Sequence, residues 1–291
     1  MYLLKRGGFW LSDKTYLKLL FPLATGYSLN IEQPSTFQEK LQWLKLYDRI
    51  PQHTNLVDKY KVKEIVSQKI GSQYIIPTLG VWKSFQEIDF DSLPEKFVLK
   101  TTHGGGSLGV VICKDKSTFN YSEAEKKLNK SLKQNIYKYM REWPYKNVPR
   151  RIIAEEYLDF PSKKDLTDYK IFCFNGTPKF IQVIQDRNSV ESIDFFDTDW
   201  NHQPFVGLTP NCKNAPILSK KPKNLDIMLQ IASKLAEDTA FVRVDLYNIE
   251  GKIYFGELTF YPASGFGKFT PHCWDKHLGD LLLLKSTSIV R

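Results

Sequence analysis

Apolar and polar positions change period several times along the chain, and each change marks an element. In "DKYKVKEIVSQKI", Val62, Ile65, Val66 and Ile70 recur at steps of three and four, which predicts an amphipathic helix capped by Asp58. "FVLKTTHGGGSLGVVI", from Phe97 to Ile112, predicts two strands around a glycine loop. Residues 121–142 predict a helix with exposed lysines, and "RIIAEEYL" a strand ending in paired carboxylates. "DYKIFCFNGTPKFIQVIQD" reads as a hairpin turning at Asn175-Gly176. Residues 223–238 predict another helix, "FVRVDLYNIEGKIYFGELTF" a second hairpin turning near Glu250-Gly251, and "LGDLLLLKS" a closing helix. Residues 1 to about 55, punctuated by Pro22, Pro34 and Pro51, predict short helices and loops. Hairpins separated by a helix favour an α+β architecture with antiparallel sheets over a doubly wound parallel sheet.

Composition narrows the partners. The 291 residues suffice for one large domain or two to three lobes, and 42% hydrophobic content supplies a core. Lys and Arg outnumber Asp and Glu by 41 to 32, a net charge of +9. That excess suits nucleic acid, anionic metabolites or an acidic membrane surface alike. The lysine pairs at 126–127, 163–164 and 220–221 are scattered, and no RNA-binding aromatic motif, zinc-finger spacing or basic region before heptads is present. Nucleic acid is therefore not an expected partner. Cys113, Cys173, Cys212 and Cys273 lie far apart without CxxC spacing, as in a reduced cytosolic protein. No apolar run approaches a membrane span, and "MYLLKRGGFWLSDK" lacks the features of a signal peptide. A cytoplasmic location is expected.

Polar residues inside the strands carry the candidate chemistry. In the second hairpin Val242, Val244 and Leu246 point one way, and Arg243 and Asp245 the other. Glu257 and Thr259 share a face of the returning strand, and a turn near residue 250 brings Asp245 close to Glu257. Paired carboxylates repel unless a cation lies between them or one keeps its proton. Hard oxygen ligands on strands suit Mg2+, although a solvated face with an incidental cluster gives the same pattern. On this reading Asp245→Asn or Glu257→Gln abolishes turnover, and relief of repulsion raises the melting temperature.

The glycine loop can turn N–H groups onto phosphate oxygens, with Lys100 adding a point charge. It is no Walker A loop, because GxxxxGK[ST] is absent. It reads as a flap whose three glycines free the tip; a mobile hairpin tip is the simpler alternative. Glu155 and Glu156 end a strand where backbone groups could meet an adenine edge and a carboxylate the ribose hydroxyls. Asp168 and Lys170 alternate with Tyr169 and Ile171, a pattern that also fits an exposed edge strand.

In this order the parts resemble the ATP-grasp superfamily. "VDKYKVK", "FVLKTTHGGGSLGVVI", "IIAEEYL" and "FVRVDLYNIEGKIYFGELTFYP" are similar to segments of D-alanine–D-alanine ligase. "LPEKFVLKTTHGGGS", "DYKIFCFNGTPKFIQV", "FDTDW" and "GELTFYPASGFGKF" resemble the TupA-like ATP-grasp family of bacterial surface-polysaccharide biosynthesis. The resemblance covers roughly residues 55–285. It implies two α+β lobes gripping a nucleotide: residues 58–154 with the flap and 155–291 with the adenine hinge and metal hairpin, after a reduced helical region, 1–57.

It also implies ATP and Mg2+. Lys59 and Lys100 contact phosphates under a flap of His103, Gly104, Gly105, Gly106 and Ser107. The backbone of Glu156, Tyr157 and Leu158 reads adenine, and Asp168 or a hinge glutamate, Glu155 or Glu156, holds the ribose, with Lys170 also on the nucleotide. Asp245 and Glu257 bind Mg2+, with Arg243 near the transferred phosphoryl group. Two positions depart from the ligase pattern. Thr259 replaces an Asn metal ligand and puts a second Mg2+ in doubt; His103 replaces a charged residue.

The implied reaction is ligation of a carboxylate to an amine through an acylphosphate. The implied acyl donor is a uronic acid of a surface polymer or its precursor, and the acceptor an amino acid or amine. Peripheral association with a polysaccharide assembly complex accompanies that reading. Ser264, Lys268 and His272 are candidate substrate contacts. Three rivals stay open: an ATP-grasp kinase acting on a sugar, a glycosyltransferase, for which "DTDW" is a lone DxD match, and a non-enzymatic nucleotide-binding module.

Overall fold

The computed structural model describes residues 8–159, 167–185 and 191–285; Lys163, Lys164 and Asp186 of the segments above lie outside them. In chain order the elements are α1 (Asp13–Thr25), α2 (Phe37–Tyr47), α3 (His53–Val57), α4 (Lys61–Ile70), β1 (Thr78–Trp82), β2 (Phe97–Thr101), β3 (Val110–Cys113), α5 (Tyr121–Leu132), α6 (Ile136–Met140) and β4 (Ile152–Glu156). They continue with β5 (Asp168–Phe174), β6 (Thr177–Gln185), β7 (Ser192–Asp197), β8 (Val206–Gly207), α7 (Leu225–Ala236), β9 (Phe241–Ile249), β10 (Lys252–Thr259), β11 (Phe269–Thr270) and α8 (Cys273–Leu281). The class is α+β, and every paired strand within the sheets is antiparallel. By internal packing the chain forms two compact units, residues 50–161 and residues 1–49 with 162–291.

The unit of residues 50–161 has one four-stranded sheet, in the order β1-β4-β2-β3. Phe97 and Leu99 alternate with polar-side positions and pack with Ile152 and Ala154 against Ala124 and Leu128 of α5. Lys100 and Glu155 therefore lie on the opposite face of the sheet. The helix predicted over 121–142 is two helices, since α5 ends at Leu132 and the Asn135 side chain caps α6 by accepting from the Lys138 amide at 3.3 Å. The N-cap expected at Asp58 falls instead on Tyr60, because α4 begins only at Lys61; Asp58, two residues ahead, still accepts through Oδ1 from the amides of Tyr60 (2.9 Å) and Lys61 (3.3 Å).

The other unit has a five-stranded sheet, β10-β9-β5-β6-β7. Both hairpins turn where expected, on Asn175-Gly176 and Glu250-Gly251, with positive φ at all four residues. Strand β5 is central, so Asp168 and Lys170 are buried and the edge-strand alternative is excluded. One end of one face is closed by the rings of Phe37, Phe172, Phe174 and Phe241. Helix α7 packs on the reverse face, where Cys173 Sγ approaches the Ala232 carbonyl. Residues 8–49 join this unit through α2. The Asp275 carboxylate of α8 accepts from the Gln38 amide (3.0 Å) and the Tyr27 hydroxyl (2.7 Å). Helix α8 starts earlier and stops sooner than "LGDLLLLKS" suggests. Lys40 Nζ donates to the Gly279 and Leu282 carbonyls, each at 2.8 Å, and so caps the helix where its own ladder ends.

Candidate functional site

In the unit of residues 50–161, Lys100, Glu155 and Lys63 form a linear ionic cluster. Lys63 Nζ lies 2.5 Å from Glu155 Oε1, and Lys100 Nζ lies 2.5 Å from Oε2. Burial alone raises the Glu155 pKa, but the two lysines outweigh it and hold the carboxyl below the usual range. Lys63 also donates to the Ile76 carbonyl (2.7 Å) and Thr78 Oγ1 (3.0 Å), so its three donors are all engaged. The two lysines therefore differ: Lys63 anchors Glu155, and Glu155 orients Lys100. Lys63 was not singled out in the sequence, although it stands four residues beyond Lys59, in the first turn of α4. Glu155 lies within the strand and faces these lysines, which leaves Glu156 as the exposed acid at its end. The Glu156 amide donates to the Pro77 carbonyl at 3.1 Å; Tyr157 and Leu158 beyond it are half-buried.

The glycine loop is more built than its composition suggests. Thr101 Oγ1 and Ser131 Oγ bond at 2.7 Å beneath it. A Cβ at Gly104 would stand 2.5 Å from Thr101 Oγ1, and one at Gly109 2.1 Å from that atom and 2.4 Å from Ser131 Oγ. Gly105 abuts Ile136 Cδ1 of α6, at 3.1 Å from an added Cβ. Of the glycines in this loop, Gly106 alone combines positive φ, 59°, with open surroundings. The expectation that three glycines free the tip is thus corrected: Gly104 permits close packing at the base, and Gly106 with Ser107 and Leu108 forms the exposed tip. His103 is buried below the loop, its Nε2 3.2 Å from the Ser131 carbonyl. Burial pushes its pKa down and, with the Arg150 charge acting the same way, outweighs the hydrogen bond to the Ser131 carbonyl that raises it. Lys59 meets the base of the loop, its amide donating to the Thr102 carbonyl at 3.0 Å. Asp58, buried beside it, pairs with Arg151 at 2.6 Å.

In the other unit, β9 and β10 place Asp245 in register with Glu257 and Arg243 with Thr259. Arg243 lies between the two carboxylates. Its Nε and Nη2 grip Asp245 at 2.6 and 2.7 Å, and Nη2 lies 3.0 Å from Thr259 Oγ1 and 3.6 Å from Glu257 Oε1. Lys170, across on β5, pairs with Asp245 Oδ2. Burial disfavours the Arg243 charge, but Asp245, Glu257 and Asp168 outweigh it and raise its pKa. Thr259 accepts from Arg243 and sits 3.4 Å from Glu257 Oε1.

No group of three or more His, Cys, Asp or Glu side chains among the described residues is arranged to hold a metal. Asp245 and Glu257 nonetheless offer the one or two carboxylates that Mg2+ uses beside phosphate oxygens. Both Asp245 oxygens are engaged by Arg243 and Lys170, so Glu257, the more exposed of the two carboxylates, is the more available donor for an ion shared with a phosphate-bearing substrate.

After β10 the chain turns through Ala263, Ser264 and Gly265, all with positive φ. Buried Lys45 of α2 holds this turn, donating to the Ser264 carbonyl at 2.6 Å and to Gln42 Oε1 at 3.0 Å. Beyond it lies a cavity of about 260 Å³ lined by Thr25, Tyr27, Lys268, Thr270, His272 and Asp275. Lys268 and His272 thus meet at one cavity, whereas the Ser264 carbonyl is committed to Lys45 and Gln42. The "DTDW" match is a turn: the Asp197 carboxylate accepts from the amides of Asp199 (3.0 Å) and Asn201 (2.8 Å).

The family described as TupA-like ATPgrasp matches residues 39–283, which include both clusters. No curated protein matches. Among solved structures, similar folds include D-alanine–D-alanine ligase from Bacillus anthracis complexed with ATP, with 13% identity and a TM-score of 0.41, covering 71% of this chain and 54% of that one. The D-alanine–D-alanine ligase from Helicobacter pylori shares 14% identity at a TM-score of 0.45, over 87% of this chain and 68% of that one. The ATP-grasp ligase PsnB, complexed with minimal precursor, Mg and ADP, shares 11% at a TM-score of 0.39, over 76% and 57%. The chain thus spans little more than half of the Bacillus anthracis ligase.

Proposed function

The chain belongs to the TupA-like ATPgrasp family, and we propose that it is an ATP- and Mg2+-dependent ligase joining a carboxylate to an amine through an acylphosphate. The observation that carries this reading is the Asp245 cluster. Arg243, Lys170, Asp245 and Glu257 crowd on one face of a sheet. Desolvating such charges costs several kcal/mol per ion, and breaks even at best against apolar packing. A fold that keeps them gains a surface suited to phosphate and metal charge.

In this reading Lys59 and Lys100 neutralise phosphate oxygens, Glu155 orienting the Lys100 ammonium. The loop tip 106–108 turns its amides onto the same oxygens. The backbone of Glu156–Leu158 reads the adenine, and Asp168 or Glu156 takes the ribose hydroxyls. Asp245 and Glu257 would hold Mg2+, which would supply screening of the phosphate charge. Arg243 and Lys170 steady the phosphoryl group as the acyl carboxylate approaches. There is little covalent chemistry for the side chains to supply, because alignment and charge compensation do most of the work in phosphoryl transfer.

The acyl donor is proposed to be a uronic acid of a bacterial surface polysaccharide or its precursor, and the acceptor an amino acid or amine. The cavity at Lys268 and His272 supports a hydroxyl-rich substrate with an anionic group, since ammonium and imidazole sit there beside Thr25 and Thr270, while the Asp275 carboxylate in the same lining is engaged by the Tyr27 hydroxyl and the Gln38 amide. The reaction is assigned to the cytoplasm, where ATP is available.

The test is turnover of purified chain with ATP, Mg2+ and a panel of uronic acids and amino acids. Equal release of ADP and phosphate that requires both substrates, with an amide-bearing product by mass, is the expected result. Phosphate retained on a sugar would make the protein a kinase. Binding of a nucleotide-sugar in preference to ATP would make it a glycosyltransferase. No turnover with any pair would leave a nucleotide-binding module and overturn the ligase reading.

A further inference from the structure

The connection from β8 to α7 has chemistry that the ligase reading does not use. From Trp200 to Leu225 the chain has four lysines, Lys213, Lys220, Lys221 and Lys223, and no acidic residue. All four lysines are exposed. Among them stand Ile217 and Leu218, 83% and 43% exposed; Ile217 is the most exposed large apolar side chain among the described residues.

This connection is not a loose loop. Asn214 Nδ2 donates to Asp194 Oδ1 at 2.9 Å and to the Ile193 carbonyl at 3.1 Å. The Ala215 amide donates to Asp194 Oδ2 at 3.3 Å, and Asp194 is fully buried. The Ser219 carbonyl accepts from Trp200 Nε1 at 3.1 Å, and that indole stacks on Phe196. Asn224 Nδ2 donates to the Gly251 carbonyl at 2.8 Å. Pins at 214–215, 219 and 224 leave residues 216–218 and 220–223 on display. A buried carboxylate and a stacked indole therefore hold a segment with two exposed aliphatic side chains, flanked in the chain by exposed lysines.

We propose that this loop docks the protein on an anionic lipid bilayer. Ile217 and Leu218 enter the interfacial region, and the four ammonium groups meet the headgroups. Charge complementarity selects this occupant. Residues 211–224 contain no arginine and no aromatic ring, the groups that grip unpaired bases by stacking and dominate protein interfaces. Aliphatic residues flanked by lysine suit a lipid surface, which asks for buried hydrocarbon and diffuse positive charge. The proposal is independent of the reaction catalysed. It needs no spanning element, and among the described residues no helix is long and apolar enough to cross a membrane.

The experiment is co-sedimentation of the full chain with vesicles of phosphatidylcholine mixed with phosphatidylserine, and with vesicles of phosphatidylcholine alone. Binding is expected on the mixed vesicles, to weaken with added salt, and to be slight on the neutral ones. Lys220→Gln with Lys221→Gln should weaken it by about tenfold or more, given the attraction of each lysine to an anionic surface. Ile217→Asp with Leu218→Asp should abolish it while leaving the melting temperature unchanged. Should the aspartates lower the melting temperature, Ile217→Ser with Leu218→Ser tests the same contact and should also lose binding. The proposal is overturned by absence of binding, by equal binding to neutral vesicles, or by aspartate and serine variants that bind like wild type. RNA that displaces the vesicles and binds without need of Ile217 and Leu218 would make the loop a nucleic-acid contact instead, and would equally overturn it.

Discussion

Arg243 and Asp245, two residues apart on one face of β9, hold each other by two hydrogen bonds of 2.6 and 2.7 Å. The second carboxylate, Glu257, is 3.6 Å from the same guanidinium. The hairpin therefore carries its own cation, and carboxylate repulsion is not the dominant force there.

The consequence is an asymmetry between the two carboxylates. Asp245→Asn leaves Arg243 and Lys170 largely buried without their main partner, Arg243 keeping only Glu257 at 3.6 Å, and breaking such a pair costs up to about 3–5 kcal/mol. Its melting temperature should fall, opposite to what repulsion between Asp245 and Glu257 alone suggests. Glu257 is 34% exposed at its side chain, and Glu257→Gln should cost less than about 1 kcal/mol. It should nevertheless lose ATP turnover if Glu257 holds Mg2+. Thermal denaturation and ADP release on both variants check this; a Glu257→Gln enzyme with near-normal turnover under saturating Mg2+ removes the metal assignment.

Lys100 and Lys63 share Glu155 but should fail differently. Lys100→Met removes the proposed phosphate contact, and loss of a comparable electrostatic donor costs about 2.7–4 kcal/mol of transition-state stabilisation, or about 10²–10³ in rate. Its effect on folding should be modest, because Lys63 still pairs with Glu155. Lys63→Met strands the Ile76 carbonyl, Thr78 and one Glu155 oxygen, so it should lower the melting temperature more than Lys100→Met does. Equal stability loss in the two variants, with equal residual rates, would show that Lys100 is only a structural partner of Glu155.

His103 gives a pH signature. Its folded pKa lies below the unfolded value of about 6.5, because burial disfavours the charged ring. As pH falls below about 6.5 the unfolded chain takes up a proton that the folded ring resists, so stability declines. His103→Gln should lessen that decline, read as the change in melting temperature between neutral and mildly acidic buffer. An unchanged slope would mean that His103 is solvated.

Much of this was legible in the sequence where side-chain period and turn chemistry act locally. The tight turns at Asn175-Gly176 and Glu250-Gly251 need positive φ, which glycine accepts without strain, and alternation then places Arg243, Asp245, Glu257 and Thr259 on one face. Contacts between distant segments were not legible. Nothing local marks Lys63 as the partner of Glu155, or Ser131 as the floor of the glycine loop, because both contacts depend on packing of α4 and α5. The break at residues 133–135 also escaped the pattern, since a one-turn interruption preserves the helical period on either side. Lys45, an ordinary helix lysine by composition, is buried only because the turn at Ser264 requires a donor.

The glycine loop yields the last prediction. Gly104 and Gly109 close the base against Thr101 and Ser131, so Gly109→Ala drives a Cβ into two hydroxyl oxygens and should destabilise the unit of residues 50–161. Gly106 has free space but positive φ; Gly106→Ala should cost about 1 kcal/mol of loop conformation and leave the core untouched. If the tip serves phosphates, Gly106→Val should raise the KM for ATP with little change in melting temperature, since a branched side chain tolerates that backbone poorly. Gly105→Val is the less clean probe, because its side chain also meets Ile136. Limited proteolysis reads closure directly. Cleavage within 103–108 should be suppressed by Mg2+ with a non-hydrolysable ATP analogue and persist with AMP, which lacks the β- and γ-phosphates. Gly106→Val should bind the analogue more weakly and stay cleavable at concentrations that protect the wild type. Equal protection by AMP would move the recognition from the phosphates to the adenosine and leave the tip without a role in gripping them.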